Sequence, residues 1–137
     1  RSCSASWRKF RLNYPTAGSS QLFILWRLGM ARYLIQVSYT AESWAAQVKN
    51  PQDRLKAVGE MLAPAGITFV DAYYSFGEFD IVGIVDGPDN TTTAAGMIAV
   101  AAGGACSKLQ TTPLLTSEEG LEAIRKAGSV GYRPAGS

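Results

Sequence analysis

The chain has 137 residues, 47% of them hydrophobic and 18% charged, which is the makeup of one globular domain around a single core. Its net charge of +2 conceals an uneven split: residues 1–29 hold Arg1, Arg8, Lys9, Arg11 and Arg27 with no acid, whereas the remainder holds eight basic and eleven acidic side chains, too acidic a balance for a nucleic-acid footprint. Histidine is absent, the two cysteines are Cys3 and Cys106, and no apolar run approaches the roughly 18 residues of a membrane helix, so His/Cys metal sites, Ser-His-Asp triads, a disulfide framework and a spanning role all fall away.

Residues 1–29 are basic, free of acid and without clear helical period, and "LFILW" is too short for a secretory apolar core. They read as upstream, appended or targeting sequence outside the fold, with Met30 as the natural start of the domain. The scarcity of cysteine suits a reduced, cytoplasmic setting.

From Met30 the two secondary-structure periods alternate. "RYLIQVSY" (32–39) predicts a first strand, after which Thr40 caps a helical stretch over "AESWAAQVK". Asn50 and Pro51 read as the cap and first position of a continued helix, one helix broken near the proline, along which Leu55, Val58, Met61 and Leu62 recur until "APAG" stops it. "ITFVDAYYS" (67–75) and "DIVGIVD" (80–86) predict an antiparallel hairpin across the tight connection "FGEF". A second helix of small residues follows "GPDN"; "CSKLQTTPLL" (106–115) predicts a fourth strand, which Pro113 assigns to an edge or a strand end. Thr116 or Ser117 caps a last helix that Gly128 closes, and 129–137 reads as a flexible tail. The order βαββαβα over 30–128 predicts an α+β, ferredoxin-like unit.

Both main helices of such a unit lie on one face of the sheet, while the strands here carry apolar residues on both. Val82 and Ile84 alternate with Ile81 and Val85, so the uncovered face requires a cover, and a second copy of the chain is the simplest one; a C-terminal helix folded over the sheet is the alternative.

Strict alternation groups Asp71 with Phe69 and Tyr73 on one face of the second strand. Buried there, Asp71 would have a raised pKa and act as a general base beside Tyr73, or be a satisfied interface carboxylate. Gln36 and Ser38 on the first strand, with Tyr74, are candidates to orient a ligand, since polar groups on a covered face need partners. Cys106 reads as an inert buried thiol. A phosphate cradle at "GPDNTTT" is opposed by Asp86 and Asp89, which helix capping explains better. No residues suggest a cofactor or a metal.

Between the hairpin strands stand Gly77, Glu78, Phe79 and Asp80. Two carboxylates two residues apart can form an acid/base pair, but at a tight turn, with Gly77 supplying unusual backbone angles, they are better read as turn chemistry. With "ARYLIQVSYT", "YYSFGEFDIVGIVDGPD" and "KLQTTPLLT" followed by an acid-rich helix, this Gly-x-Tyr/Phe-Asp signature makes residues 30–127 resemble the GYD-domain family of small bacterial proteins. Phe79 holds the tyrosine position without its hydroxyl.

The resemblance implies a dimeric α+β barrel, two ferredoxin-like sheets closing on each other, and little defined chemistry. The expected function is a homodimer whose cavity binds a small, mainly apolar molecule. The alternatives are a cofactor-independent enzyme of monooxygenase, isomerase or cyclase type, with Asp71 and Tyr73 as its acid/base equipment, and a purely structural assembly unit.

Overall fold

The computed structural model describes residues 29–136, so all of the basic leader but Gly29 lies outside the described residues. Strand β1 (Ala31–Tyr39) leads into helices α1 (Ala41–Lys49) and α2 (Arg54–Leu62), a 3-10 turn (Ala63–Ala65), β2 (Thr68–Tyr74), β3 (Ile81–Gly87), α3 (Asn90–Ala102), β4 (Cys106–Leu114) and α4 (Ser117–Ala127). The strands form one antiparallel sheet in the order β2-β3-β1-β4, the order of a ferredoxin-like unit, and Pro113 lies on an edge strand as expected. Among the described residues no helix is long and apolar enough to cross a membrane.

The helix boundaries follow their capping side chains. Thr40 accepts the Ser43 N–H at 3.1 Å and starts α1 as expected. Asn50 does not start α2. It ends α1, its N–H donating to the Ala46 carbonyl, and adopts φ −140°, because a residue before proline is pushed out of the helical region. Asp53 caps α2 instead, accepting the Lys56 N–H at 3.0 Å. At α4, Thr116 and Glu119 form a reciprocal capping box, with bonds of 2.7 and 3.2 Å.

The core lies between one face of the sheet and the helices. Tyr33, Ile35 and Val37 of β1 and Ile81 and Val85 of β3 meet Leu62, Ile67 and Met97 there. Helix α4 contributes no buried residue; Leu121 remains 49% and Ile124 70% exposed, so the C-terminal helix does not bury its apolar side on the sheet.

Strict alternation fails on β2. Phe69 pairs with Val85, but Asp71 pairs with Ile84 and Tyr73 with Val82, because the ladder shifts register between Phe69 and Asp71. The bulge at Val70 places Phe69 on the core side and turns Asp71 and Tyr73 to the other, separating residues that the sequence pattern groups. Gly77 also departs from expectation. It is not among the glycines with positive φ, and a Cβ built on it would meet nothing within 4 Å. The turn is closed instead by Ser75, whose N–H donates to the Asp80 carbonyl at 2.9 Å and whose hydroxyl donates to the Phe79 carbonyl at 2.6 Å.

Candidate functional site

Residues opposite each other across a strand pair share a face of the sheet, so the register lays out the uncovered side in rows. One row runs Asp71, Ile84, Leu34, Thr112 and the next Tyr73, Val82, Gln36, Gln110. Gln36 and Ser38 therefore lie on the uncovered face, and the bulge brings Asp71 and Tyr73 beside them. Tyr74 does not join this group: it pairs with Ile81 on the core side, close enough to Tyr39 for their charges to interact.

Asp71 is exposed within the single subunit rather than buried. One carboxylate oxygen accepts the Tyr73 hydroxyl at 2.5 Å and the other accepts the Ala72 N–H at 3.1 Å. The hydrogen bond to Asp71, and then its charge, hold the Tyr73 phenol above its ordinary range. Tyr73 is thus a neutral donor and Asp71 its acceptor, an arrangement that positions two polar groups without freeing a base.

The signature acids do not converge on a common point. Glu78 takes an ion pair from Lys108 at 2.6 Å, and that hydrogen bond keeps its carboxyl below the usual range. The Lys108 ammonium also lies 4.8 Å from the Phe79 ring centroid, and Ser38 donates its hydroxyl to the Glu78 carbonyl at 2.8 Å. Asp80 turns the other way, accepting the Tyr39 N–H at 2.8 Å and the Trp44 indole N–H at 3.2 Å. Glu78, Phe79 and Asp80 tie the hairpin to β1, β4 and α1. At the start of α3, Asp89 accepts the Thr92 N–H at 2.7 Å and its hydroxyl at 2.9 Å, so capping occupies the position considered for phosphate.

Among the described residues, a groove and a cavity lie side by side on the helix side. A polar groove of about 390 Å³ runs between α1 and the Gly103–Ala105 turn, lined by Thr40, Ser43, Gln47, Asn50 and Gln52. Beside it an apolar cavity of about 200 Å³ enters between sheet and helices, lined by Val37, Tyr39, Leu55, Val58, Phe69 and Met97 among others. Arg54, Gly103 and Ala105 line both. Among the described residues Arg54 makes no hydrogen bond or ion pair, yet its charge reaches the Tyr39 hydroxyl and the Cys106 thiol. Burial pushes both of those groups up and Arg54 pulls both down, burial being the stronger. The Cys106 thiol is therefore protonated at neutral pH.

Sequence reasoning missed Arg54 and Tyr39. A signal was present at Arg54, because a cation directly after a helix N-cap sits against the helix dipole and calls for another reason to be there. Tyr39 carried none, since its place at the cavity depends on how α2 and β4 meet.

A family model described as GYD domain matches residues 33–124, spanning the sheet, the signature turn and most of α4. No curated protein matches the chain.

Proposed function

The chain belongs to the GYD-domain family, and from that membership we propose a homodimeric α+β barrel: two copies set their uncovered sheet faces together, and each subunit holds a small, mainly apolar molecule between its sheet and helices. The apolar cavity of about 200 Å³ carries the binding reading, because such a space beside a polar groove is the usual form of a small-molecule site. The dimer is supported by Leu34, Val82 and Ile84 on a face that α4 does not cover, and by Tyr73, 60% exposed there. Burying several hundred Å² at about 25 cal/mol per Å² supplies several kcal/mol per subunit before association costs. The free Cys106 thiol suits a reducing, cytoplasmic compartment.

Native mass spectrometry of the protein purified from its host tests both parts. A dimer carrying a retained small molecule is the expected result; a stable single subunit at high concentration overturns the assembly, and Ile84→Glu, which sets a charge on the uncovered face, should produce that state.

The Tyr73–Asp71 hydrogen bond favours a second reading, a cofactor-independent enzyme with this pair on the dimer-facing side. Asp71→Asn that abolished turnover while leaving ligand binding and the dimer intact would support it, and loss of the dimer would assign the pair to structure.

A further inference from the structure

We propose that the ligand of the helix-side cavity is a small amphipathic carboxylate, its apolar body between sheet and helices and its anion on Arg54. This rests on the binding reading above and specifies the chemistry of its ligand. A cavity of about 150 Å³ lined by aliphatic and aromatic side chains accepts benzene, so the 200 Å³ here takes a body of one aromatic ring or a short branched chain. The walls offer such a body Leu55, Val58, Phe69 and Met97 and no charged group except Arg54.

Arg54 stands where the apolar cavity meets the polar groove. Its guanidinium presents five N–H donors in a planar fork that matches a carboxylate, and with Arg54 partly buried and no protein acceptor among the described residues, those donors turn to water or to a ligand. A cation at this first turn costs stability against the helix dipole, which a bound anion would offset. Glu42 is the acid on the same groove; it is exposed and well hydrated, whereas Arg54 is partly withdrawn from water and meets a ligand at lower dielectric. The Tyr39 hydroxyl, protonated at neutral pH and lining the same cavity, is a second donor for the anion.

The probes are 3-phenylpropanoate and its neutral amide, titrated by calorimetry into the full chain and into Arg54→Gln, with far-ultraviolet circular dichroism verifying the fold of the variant. Cys106 lines the apolar cavity, so its alkylation by iodoacetamide, followed on its own peptide by mass spectrometry, reports occupancy independently. The acid is expected to bind at least about tenfold more tightly than the amide and to protect Cys106, as a charge-assisted pair replaces a neutral one. In Arg54→Gln the preference should vanish while the amide binds as before. Equal binding of acid and amide to the unaltered protein, both protecting Cys106, overturns the anion assignment and leaves the cavity reading standing. Neither probe binding nor protecting at millimolar concentration overturns both. Should Arg54→Gln not fold, Arg54→Lys, which keeps the charge and loses the fork, is expected to retain only part of the preference, and an undiminished one would count against the bidentate geometry.

Discussion

Arg32 holds both carboxylate oxygens of Asp86 across the β1–β3 pair, Nε to Oδ1 at 2.7 Å and Nη2 to Oδ2 at 2.9 Å, with Asp86 itself only 8% exposed. A charge withdrawn from water to this degree persists because its partner is present. Removing Arg32 leaves the buried Asp86 carboxylate without its ion-pair partner, a loss of about 3–5 kcal/mol when burial is complete. Arg32 is more exposed than Asp86, so Arg32→Ala is expected to cost roughly 2–4 kcal/mol. Replacing both by apolar residues of similar size, Arg32→Met with Asp86→Leu, should cost less than removing Arg32 alone. Urea denaturation of the four proteins measures this; additive losses would deny the coupling.

The two acids of the signature turn should separate in the same assay. Asp80 satisfies the part-buried backbone N–H of Tyr39 and the exposed indole of Trp44, so Asp80→Ala strands the first of these donors and should cost about 1–3 kcal/mol. Glu78 meets Lys108 at the surface, and Glu78→Gln should leave the denaturation midpoint unchanged within error. Trp44 fluorescence should shift in the first variant and not in the second. Equal losses would mean that the turn acts as one unit.

This division also marks how far the sequence could be read. Strand β1 was legible because Tyr33, Ile35 and Val37 alternate with polar or half-buried neighbours, and period two admits one arrangement. The ferredoxin-like unit followed from the order of strand and helical runs and from the tight connection between β2 and β3. Three features were not legible. The bulge at Val70 inserts a residue where no glycine or proline announces it, so the faces of Phe69, Asp71 and Tyr73 depended on pairing with β3. Asn50 and Pro51 carry the local signature of a helix start, yet it is Asp53, three residues on, whose carboxylate accepts the Lys56 N–H and starts α2. The cavity at Arg54 forms from β1, α2, α3 and the start of β4, with lining residues spread from Ile35 to Leu109, and only the folded chain brings them together.

Tyr73 gives the fold a dependence on alkaline pH. The hydrogen bond to Asp71 favours the protonated phenol, so its folded pKa lies above the ordinary 10.0. A group raised on folding contributes stability that is fully present below its unfolded pKa and is lost as pH rises through the folded one. The contribution is therefore constant at neutral pH and disappears above pH 10. Spectrophotometric titration of tyrosinate, taken as the difference between the parent protein and Tyr73→Phe, should place this phenol above its ordinary range, and Asp71→Asn should bring it back. A phenol titrating at or below the ordinary value would remove the hydrogen bond from the account.

Gly87 and Thr93 set a packing constraint at the junction of β3 and α3. A Cβ built on Gly87 would overlap the Thr93 hydroxyl and lie 3.3 Å from Thr93 Cβ and 3.5 Å from the Tyr33 ring. Thr93 is 1% exposed on a helix held by the Asp89 cap, so neither side has room to withdraw. Gly87→Ala should therefore cost about 1–3 kcal/mol, as overpacking does. Gly96 is the informative control. Its Cβ would meet the Ile67 Cδ1 at 2.6 Å and Leu62 Cδ2 at 3.1 Å, both buried but the far ends of longer side chains, which give way at lower cost than the short Thr93 branch. In mid-helix the exchange of glycine for alanine returns up to about 1 kcal/mol, so Gly96→Ala should lie near neutral. The buried Thr93 hydroxyl has no hydrogen-bond partner among the described residues, so Thr93→Ala removes an unsatisfied group together with the obstruction. In the Gly87→Ala background it should recover stability, although alone it opens a small void and costs some. Thermal unfolding of the two single variants and the double decides the matter: recovery in the double locates the strain at this contact, and a double variant worse than either single would place it elsewhere.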